Sequence, residues 1–310
     1  MSPQVIAPTK RLAIAALTFN AFAWGVSWWP LRQLDALGLH ALWATALVYG
    51  FAVVCLFAAR PGAWAAFLSS PLLWLLACAS GLTNMGFNWA VTVGDVVRVV
   101  LLFYLMPAWS VLLAWPVLGE RPTLAALVRV ALSLAGVALI LKTPETPWPV
   151  PSGLVDWLAI VGGLSFALTN TLLRRLHAVP AESRALAMFG GGGLAAAIAA
   201  MVGMTQGLVL PLPAPSMALA GLALLLAFAL LVGNLALQYG AARLAAHTTA
   251  LVLLSEVVFA SVSAVLLGAA QMTQGVWLGG SLIVAAAVWS ALAPSALEEN
   301  QAPAATSKSH

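Results

Sequence analysis

Asn84-Met85-Gly86-Phe87-Asn88-Trp89 and Asn234-Leu235-Ala236-Leu237-Gln238-Tyr239 stand 150 positions apart and carry one pattern twice: an Asn, an amide four residues on, then an aromatic. At the same offset, Tyr104-Leu105-Met106-Pro107 falls on Leu254-Ser255-Glu256-Val257. Leu118-Gly119 matches Leu267-Gly268 with a slip of one residue, and Thr123 returns to register with Thr273. At an offset of 142, Leu31-Arg32-Gln33-Leu34 lines up with Leu173-Arg174-Arg175-Leu176. A duplicated, strongly apolar chain is the sequence mark of a membrane transporter built from two repeats.

Composition sets the medium. Of 310 residues, 63% are hydrophobic and 7% charged, where an average soluble domain has roughly 25% charged. Ten apolar runs follow one another, near 12–31, 39–58, 71–92, 97–117, 124–142, 154–173, 184–204, 216–238, 247–267 and 274–293. Each is close to the ~20 residues that cross a hydrocarbon core as helix. Lipid leaves no backbone group unsatisfied, so every run is read as a helix, giving an all-α integral membrane protein of ten transmembrane helices. The first run lacks a small-residue cleavage site and has a repeat partner, so it is read as a span and not as a signal peptide.

The net charge of +4 matters by its placement and is no nucleic-acid signal. With the N-terminus in the cytoplasm, Lys10, Arg11, Arg60, Arg121, Arg174, Arg175, Arg184 and Arg243 fall inside, while Arg32, Arg98 and Lys142 fall at the outer ends. That bias places both termini in the cytoplasm; Arg129, inside the fifth run, fits neither side. Cys55 and Cys78 lie within apolar runs and are read as small core residues.

Residues 143–153 form a connector with four prolines, which forbid helix continuation. Five runs precede it, in residues 1–142, and five follow, in 154–293. Five is odd, so the second repeat enters the membrane from the opposite side as an inverted repeat. The segment 294–310 lacks apolar periodicity and is expected to be a disordered cytoplasmic tail. Gly190 to Gly193 break helix propensity in the seventh run and are read as a packing face.

Polar residues inside apolar runs carry the functional signal. Asn84 and Asn88 share one helix face, and Asn234 and Gln238 repeat the arrangement. Facing a common cavity, such amides orient a zwitterion by accepting from its ammonium and donating to its carboxylate; otherwise they join helices. Trp24 and Trp28 flank Ser27 on the first helix and have repeat partners Phe166 and Asn170. With Tyr104 and Trp109 they are candidate apolar walls of the substrate site. Glu256 is the one acidic residue deep in an apolar run, where desolvation costs its charged form; it either carries a coupling proton or braces two helices. Arg32, Asp35, Asp95 and Arg98 lie near helix ends and read as solvated interface residues.

No Gly-x-x-x-x-Gly-Lys-Ser/Thr loop occurs, and the four histidines lack metal-ligand spacing, so neither cofactor nor metal is expected. A lipid-modifying enzyme would need clustered His, Asp or Arg at a membrane boundary, which the sequence lacks; the chain reads as no enzyme.

The chain resembles the EamA-type branch of the drug/metabolite transporter superfamily. Trp24-Gly25 is similar to that family's first-helix signature, and Leu118-Gly119-Glu120-Arg121-Pro122-Thr123 to its Leu-Gly-Glu-x-x-Thr ending of the fourth helix. Ser255-Glu256-Val257-Val258-Phe259-Ala260 resembles its Glu-Pro-x-x-Ala segment, with valine in place of proline. The second repeat departs at Gly268-Ala269-Ala270, where a Glu usually follows the Gly. Tyr104-Leu105-Met106-Pro107 is similar to the Tyr-Leu-Trp-Pro of YddG-type aromatic amino-acid exporters, with Met106 and Phe166 standing where tryptophans occur. The resemblance implies export of amino acids, aromatic and other neutral ones such as Met or Thr, by alternating access. The alternative is export of other small metabolites or drugs. The partners implied are a small-molecule substrate and the lipid bilayer; the sequence names no oligomeric partner.

Overall fold

The computed structural model describes residues 8–60, 62, 64, 67–68, 70–119, 122–142, 150–241, 243–244 and 246–292. Most of the proline-rich connector (143–149) and all of the tail lie outside these residues. The described residues are helical, with no strand among them: α1 (Pro8–Gly25), α2 (Trp28–Ala36), α3 (Ala41–Ala59), α4 (Pro71–Val93), α5 (Val96–Phe103), α6 (Met106–Leu118), α7 (Leu124–Leu141), α8 (Leu154–Arg175), α9 (Ala181–Thr205), α10 (Met217–Ala241), α11 (Ala246–Leu253), α12 (Ser255–Leu266) and α13 (Gln274–Leu292).

Among the described residues, 7 segments are long and apolar enough to cross a membrane: Lys10–Ala36, Ala41–Ala59, Val96–Val117, Leu124–Leu141, Leu154–Arg175, Ala181–Thr205 and Met217–Ala241. Seven of the ten apolar runs meet both length and composition among the described residues. The third run folds as α4, 23 residues long, but Ser80, Thr83, Asn84, Asn88 and Thr92 dilute its hydropathy. The ninth and tenth runs give shorter apolar helices, Leu251–Leu266 and Gln274–Ser290.

Two of these spans and the shorter Leu251–Leu266 segment are interrupted, and the local chemistry explains each. Pro30 has no N–H to give Val26, whose carbonyl accepts instead from Trp29 at 3.1 Å, and the Ser27 hydroxyl takes the Trp24 carbonyl at 2.7 Å. Pro107 likewise withdraws the donor due to Phe103, and the chain tightens to Leu105 N–H bonding Leu102 at 3.3 Å. The break at Leu254 needs no proline: the Ser255 hydroxyl back-bonds to the Val252 carbonyl at 2.6 Å, and Val257 N–H reaches Leu254 at 3.2 Å. The breaks at Tyr104–Leu105 and at Leu254 stand 150 residues apart, at the repeat offset.

Helix ends show the same periodicity. Gly119 (φ 77°) and Gly268 (φ 67°) both stop their helices in the left-handed region, which only glycine enters without strain. Asp95 caps α5 by accepting from Arg98 N–H at 2.9 Å, and Thr123 caps α7 from Ala126 N–H at 3.2 Å.

Packing runs largely between the two halves of the chain. α1 lies on α10, α4 on α8 and α9, α3 on α9, and α7 on α13. The contacts are close because small residues meet. A Cβ on Gly191 would stand 2.1 Å from the Ala77 carbonyl oxygen, and one on Gly136 would stand 2.6 Å from that of Gly279. Gly192 and Gly193 seat the Tyr49 side chain, so three of the four consecutive glycines are packing positions. The main core gathers the α2, α4, α5 and α8 faces around Leu31, Leu34, Phe87, Leu102 and Phe103. The outer surface is apolar, with Leu224, Leu225 and Phe228 of α10 all more than half exposed, as a lipid-facing surface requires. Cys78 corrects the core reading given to both cysteines: it is exposed on α4, and only Cys55 is partly buried.

Candidate functional site

The three helix breaks converge. Gly25, at the end of α1, packs on the α12 backbone so closely that a Cβ there would sit 2.8 Å from the Glu256 carbonyl oxygen and from Phe259 Cβ. One turn on, the Trp28 indole N–H donates to the Ser263 hydroxyl at 3.0 Å, pinning α2 to α12 on the far side of the break. From the α5–α6 break, the Tyr104 hydroxyl donates to the Glu256 carboxylate at 3.2 Å and lies 3.4 Å from the Leu253 carbonyl at the α11–α12 break. α8 closes the cluster from another side: Gly163 lies against the Phe103 carbonyl, and the Phe166 ring is 5.4 Å from the Phe103 ring.

This assembly brings together five residues singled out in the sequence: Trp28, Ser27, Tyr104, Glu256 and Phe166. Tyr104, Trp28 and Ser27 are buried, whereas Glu256 and Trp24 are partly exposed. A helix break exposes backbone carbonyls, here those of Leu253 and Phe103. Together with a hydroxyl and a carboxylate they give donors and acceptors in an otherwise apolar interior. Trp109, on α6, is half-buried against the same core, and its buried indole N–H meets no partner among the described residues.

The amides fall elsewhere. Asn84 accepts from the Tyr49 hydroxyl and donates to the Ser80 carbonyl at 2.8 Å, and Asn88, buried, donates to Thr45 Oγ1 at 3.0 Å. Both tie α4 to α3. Asn234 lines a pocket of about 220 Å³ with Leu173, Arg184, Met188 and Phe189. Asn170 is exposed on α8, on the helix face shared by Phe166 and Leu173. The side chain of Gln238 lies outside the described residues.

Arg32, Asp35, Asp95 and Arg98 line a cleft of about 1030 Å³ with Lys142 and Gln271, in which Asp35 is exposed, as its solvated reading has it, and the other three are partly buried. It sits where α2, α4 and α7 end and where α5 and α13 begin. Arg98 forms a bidentate pair with Asp156, both contacts 2.8 Å, and donates to the Ile140 carbonyl at 2.8 Å. Asp156 also accepts from Ser152 N–H and its hydroxyl at 3.0 Å each. Arg32 hooks the Val91 and Gly94 carbonyls while its guanidinium lies over the Trp28 ring. Asp95 also holds Gln271 N–H, at 2.6 Å. Asp156 escaped notice because it opens a helix and reads as an ordinary first-turn acid. Its pairing with a basic residue 58 positions earlier is set by α5 meeting α8.

Three comparisons bear on this arrangement. Residues 11–142 match the EamA-like transporter family. No curated protein matches the chain. A solved crystal structure is similar over 89% of this chain and 94% of its own, with a TM-score of 0.56 and 20% identity, a likeness of fold alone. Residues 11–142 are thus similar to the EamA-like transporter family, and the rest of the chain is matched at the level of fold alone.

Proposed function

We propose that the chain is a bacterial inner-membrane exporter of amino acids, aromatic and other neutral ones, built from ten transmembrane helices in two inverted five-helix repeats, with both termini cytoplasmic. The observation that carries this reading is the meeting of three broken helices from both halves at Tyr104 and Glu256. Interrupted helices are how transporters expose backbone polarity at the bilayer midplane without breaching lipid. Packing supports the repeat: α1 on α10 and α4 on α8 are one contact with the halves exchanged, and the family match ends at Lys142, where the first five runs end. Trp24, Ser27, Trp28, Tyr104, Trp109 and Phe166 are the proposed walls. Asn170, Asn234 and Gln238 are proposed from the second repeat, with Asn84 and Asn88 as positioning residues on α4. The amino-acid class rests on Tyr104 and Pro107 and the resemblance they carry.

Purified protein in liposomes is expected to pass Phe, Tyr, Trp, Met and Thr, each followed as the radiolabelled compound at several pH values. Tyr104→Phe is expected to lower that flux about tenfold, the scale of one lost hydrogen bond to a charged group in a closed site, at unchanged protein abundance. Absence of flux for every amino acid, with flux of other metabolites or cationic drugs, would replace the substrate class.

Glu256→Gln keeps size and an oxygen that accepts from Tyr104. It is therefore expected to retain most amino-acid flux without an imposed pH gradient and to leave the pH profile nearly unchanged, since the carboxylate braces the break. A variant that binds substrate but no longer accumulates it under a pH gradient would make Glu256 the coupling-proton carrier instead.

A further inference from the structure

Arg129 is the basic residue that neither topology nor the substrate site absorbs. It lies five residues into α7, about 7.5 Å along the helix, on the end that the proposed topology sets at the cytoplasmic face. Its half-buried guanidinium stands 5.6 Å from the centre of the Trp289 ring on α13. No carboxylate pairs with it among the described residues. Its buried Nε has no hydrogen-bond partner there either. A bare cation in hydrocarbon is costly, and intramembrane arginines mark a pairing partner or a ligand.

Direction decides which. Side chains on a helix lean toward its N-terminus, so the Arg129 stem carries the guanidinium down toward Leu124 and the membrane boundary. Trp289, three residues before the end of the antiparallel α13, is exposed at the same level. α7 and α13 are locked together two turns away, at Gly136 and Gly279, which fixes the seam. Leu127 and Val128, on adjoining faces of α7, are exposed like Trp289, so this end of the seam borders the lipid-facing surface. A half-buried cation with an exposed indole beside it, at headgroup depth, suits one phosphodiester anion whose acyl chains lie along α7 and α13.

We propose that Arg129 and Trp289 form a binding site for the phosphate of an anionic glycerophospholipid at the α7–α13 seam. The site rests on the reading of the chain as membrane-spanning, with this end at the cytoplasmic boundary, and needs nothing of the substrate.

The test uses full-length protein in neutral-detergent micelles, titrated with phosphatidylglycerol or phosphatidylcholine, with bound lipid counted by native mass spectrometry. Wild type is expected to hold one phosphatidylglycerol in preference to phosphatidylcholine. Arg129→Gln is expected to weaken it about fivefold, the scale of one basic residue at an anionic headgroup. Arg129→Lys should restore part of the loss, keeping charge without the fork. Arg243→Gln should leave binding unchanged, because Arg243 already donates to the Tyr239 carbonyl at 3.0 Å and lies over its ring. Equal retention of both lipids, or equal loss in the Arg243 variant, would overturn the site. Displacement of the lipid by inorganic phosphate alone would assign the cation to a soluble anion and overturn the lipid assignment. Should Arg129→Gln not fold, Arg129→Lys and Trp289→Leu carry the same comparison. Lipid counting does not depend on flux, so failure here and failure of the transport reading are separately visible.

Discussion

Gly191→Ala is expected to abolish most folded protein, while Gly190→Ala, one residue away on the same helix, leaves it intact or better. At Gly191 the new methyl would lie 2.1 Å from the Ala77 carbonyl oxygen and 2.6 Å from Ala77 Cα, which are backbone atoms that no rotamer change can move. α4 and α9 would have to separate. That breaks a contact which also holds Gly81 against Ala195, so a cost of about 3 kcal/mol or more is expected. At Gly190 nothing lies within 4 Å, and alanine gains about 0.5–1 kcal/mol of helix propensity. Thermal unfolding of the two variants in detergent, read by the loss of the monodisperse chromatographic peak, gives the comparison. Similar midpoints would show that α4 and α9 do not approach this closely.

Removal of the Asp156 carboxylate should be nearly as severe. Arg98 and Asp156 expose only 18% and 5% of their side chains, so solvent replaces the lost partner poorly. Asp156→Ala leaves the Arg98 guanidinium with the Ile140 carbonyl as hydrogen-bond acceptor and the charge of Asp95 nearby, and strips Ser152 of its acceptor. The expected loss is about 3 kcal/mol, the low end for an orphaned charge in a buried pair. Arg98→Met combined with Asp156→Leu should cost clearly less than the sum of the single changes, because neither charge is then stranded. A double-mutant cycle on denaturation midpoints measures this, and additive costs would mean that the pair contributes nothing. The pair joins α5 to α8, one helix from each half, at the end where the large cleft lies. Its loss is therefore also expected to loosen that end.

Much of this architecture was legible in the residues. Read from sequence, 97–117 and 247–267 are unbroken helices; the structure breaks both, at Tyr104–Leu105, where Pro107 removes a backbone donor, and at Leu254. The donor missing at Pro107 is a local property of the chain. The break at Leu254 was less legible. Valine stands where the family pattern has proline, and the interruption comes from a serine hydroxyl competing for a backbone carbonyl, which most intrahelical serines do without breaking the helix.

Residue type settled which side chains are costly in an apolar interior; it could not settle their neighbours. Asn84 and Asn88 look alike in sequence as cavity amides, and the structure gives both to α3, through Tyr49 and Thr45. Arg98 looked solvated, and the structure gives it a carboxylate 58 residues away.

The sequence by itself determined the apolar medium and the helical character, since these follow from hydropathy and from backbone hydrogen bonds that close within a few residues. Only the tertiary structure decided that the three breaks meet around Tyr104 and Glu256, that glycines bring α4 and α9 into backbone contact, and that Arg98 pairs with Asp156 across the two halves. Those depend on which helix faces which, a choice made by the fit of small residues across 100 or more positions and by the pairing of Arg98 with Asp156.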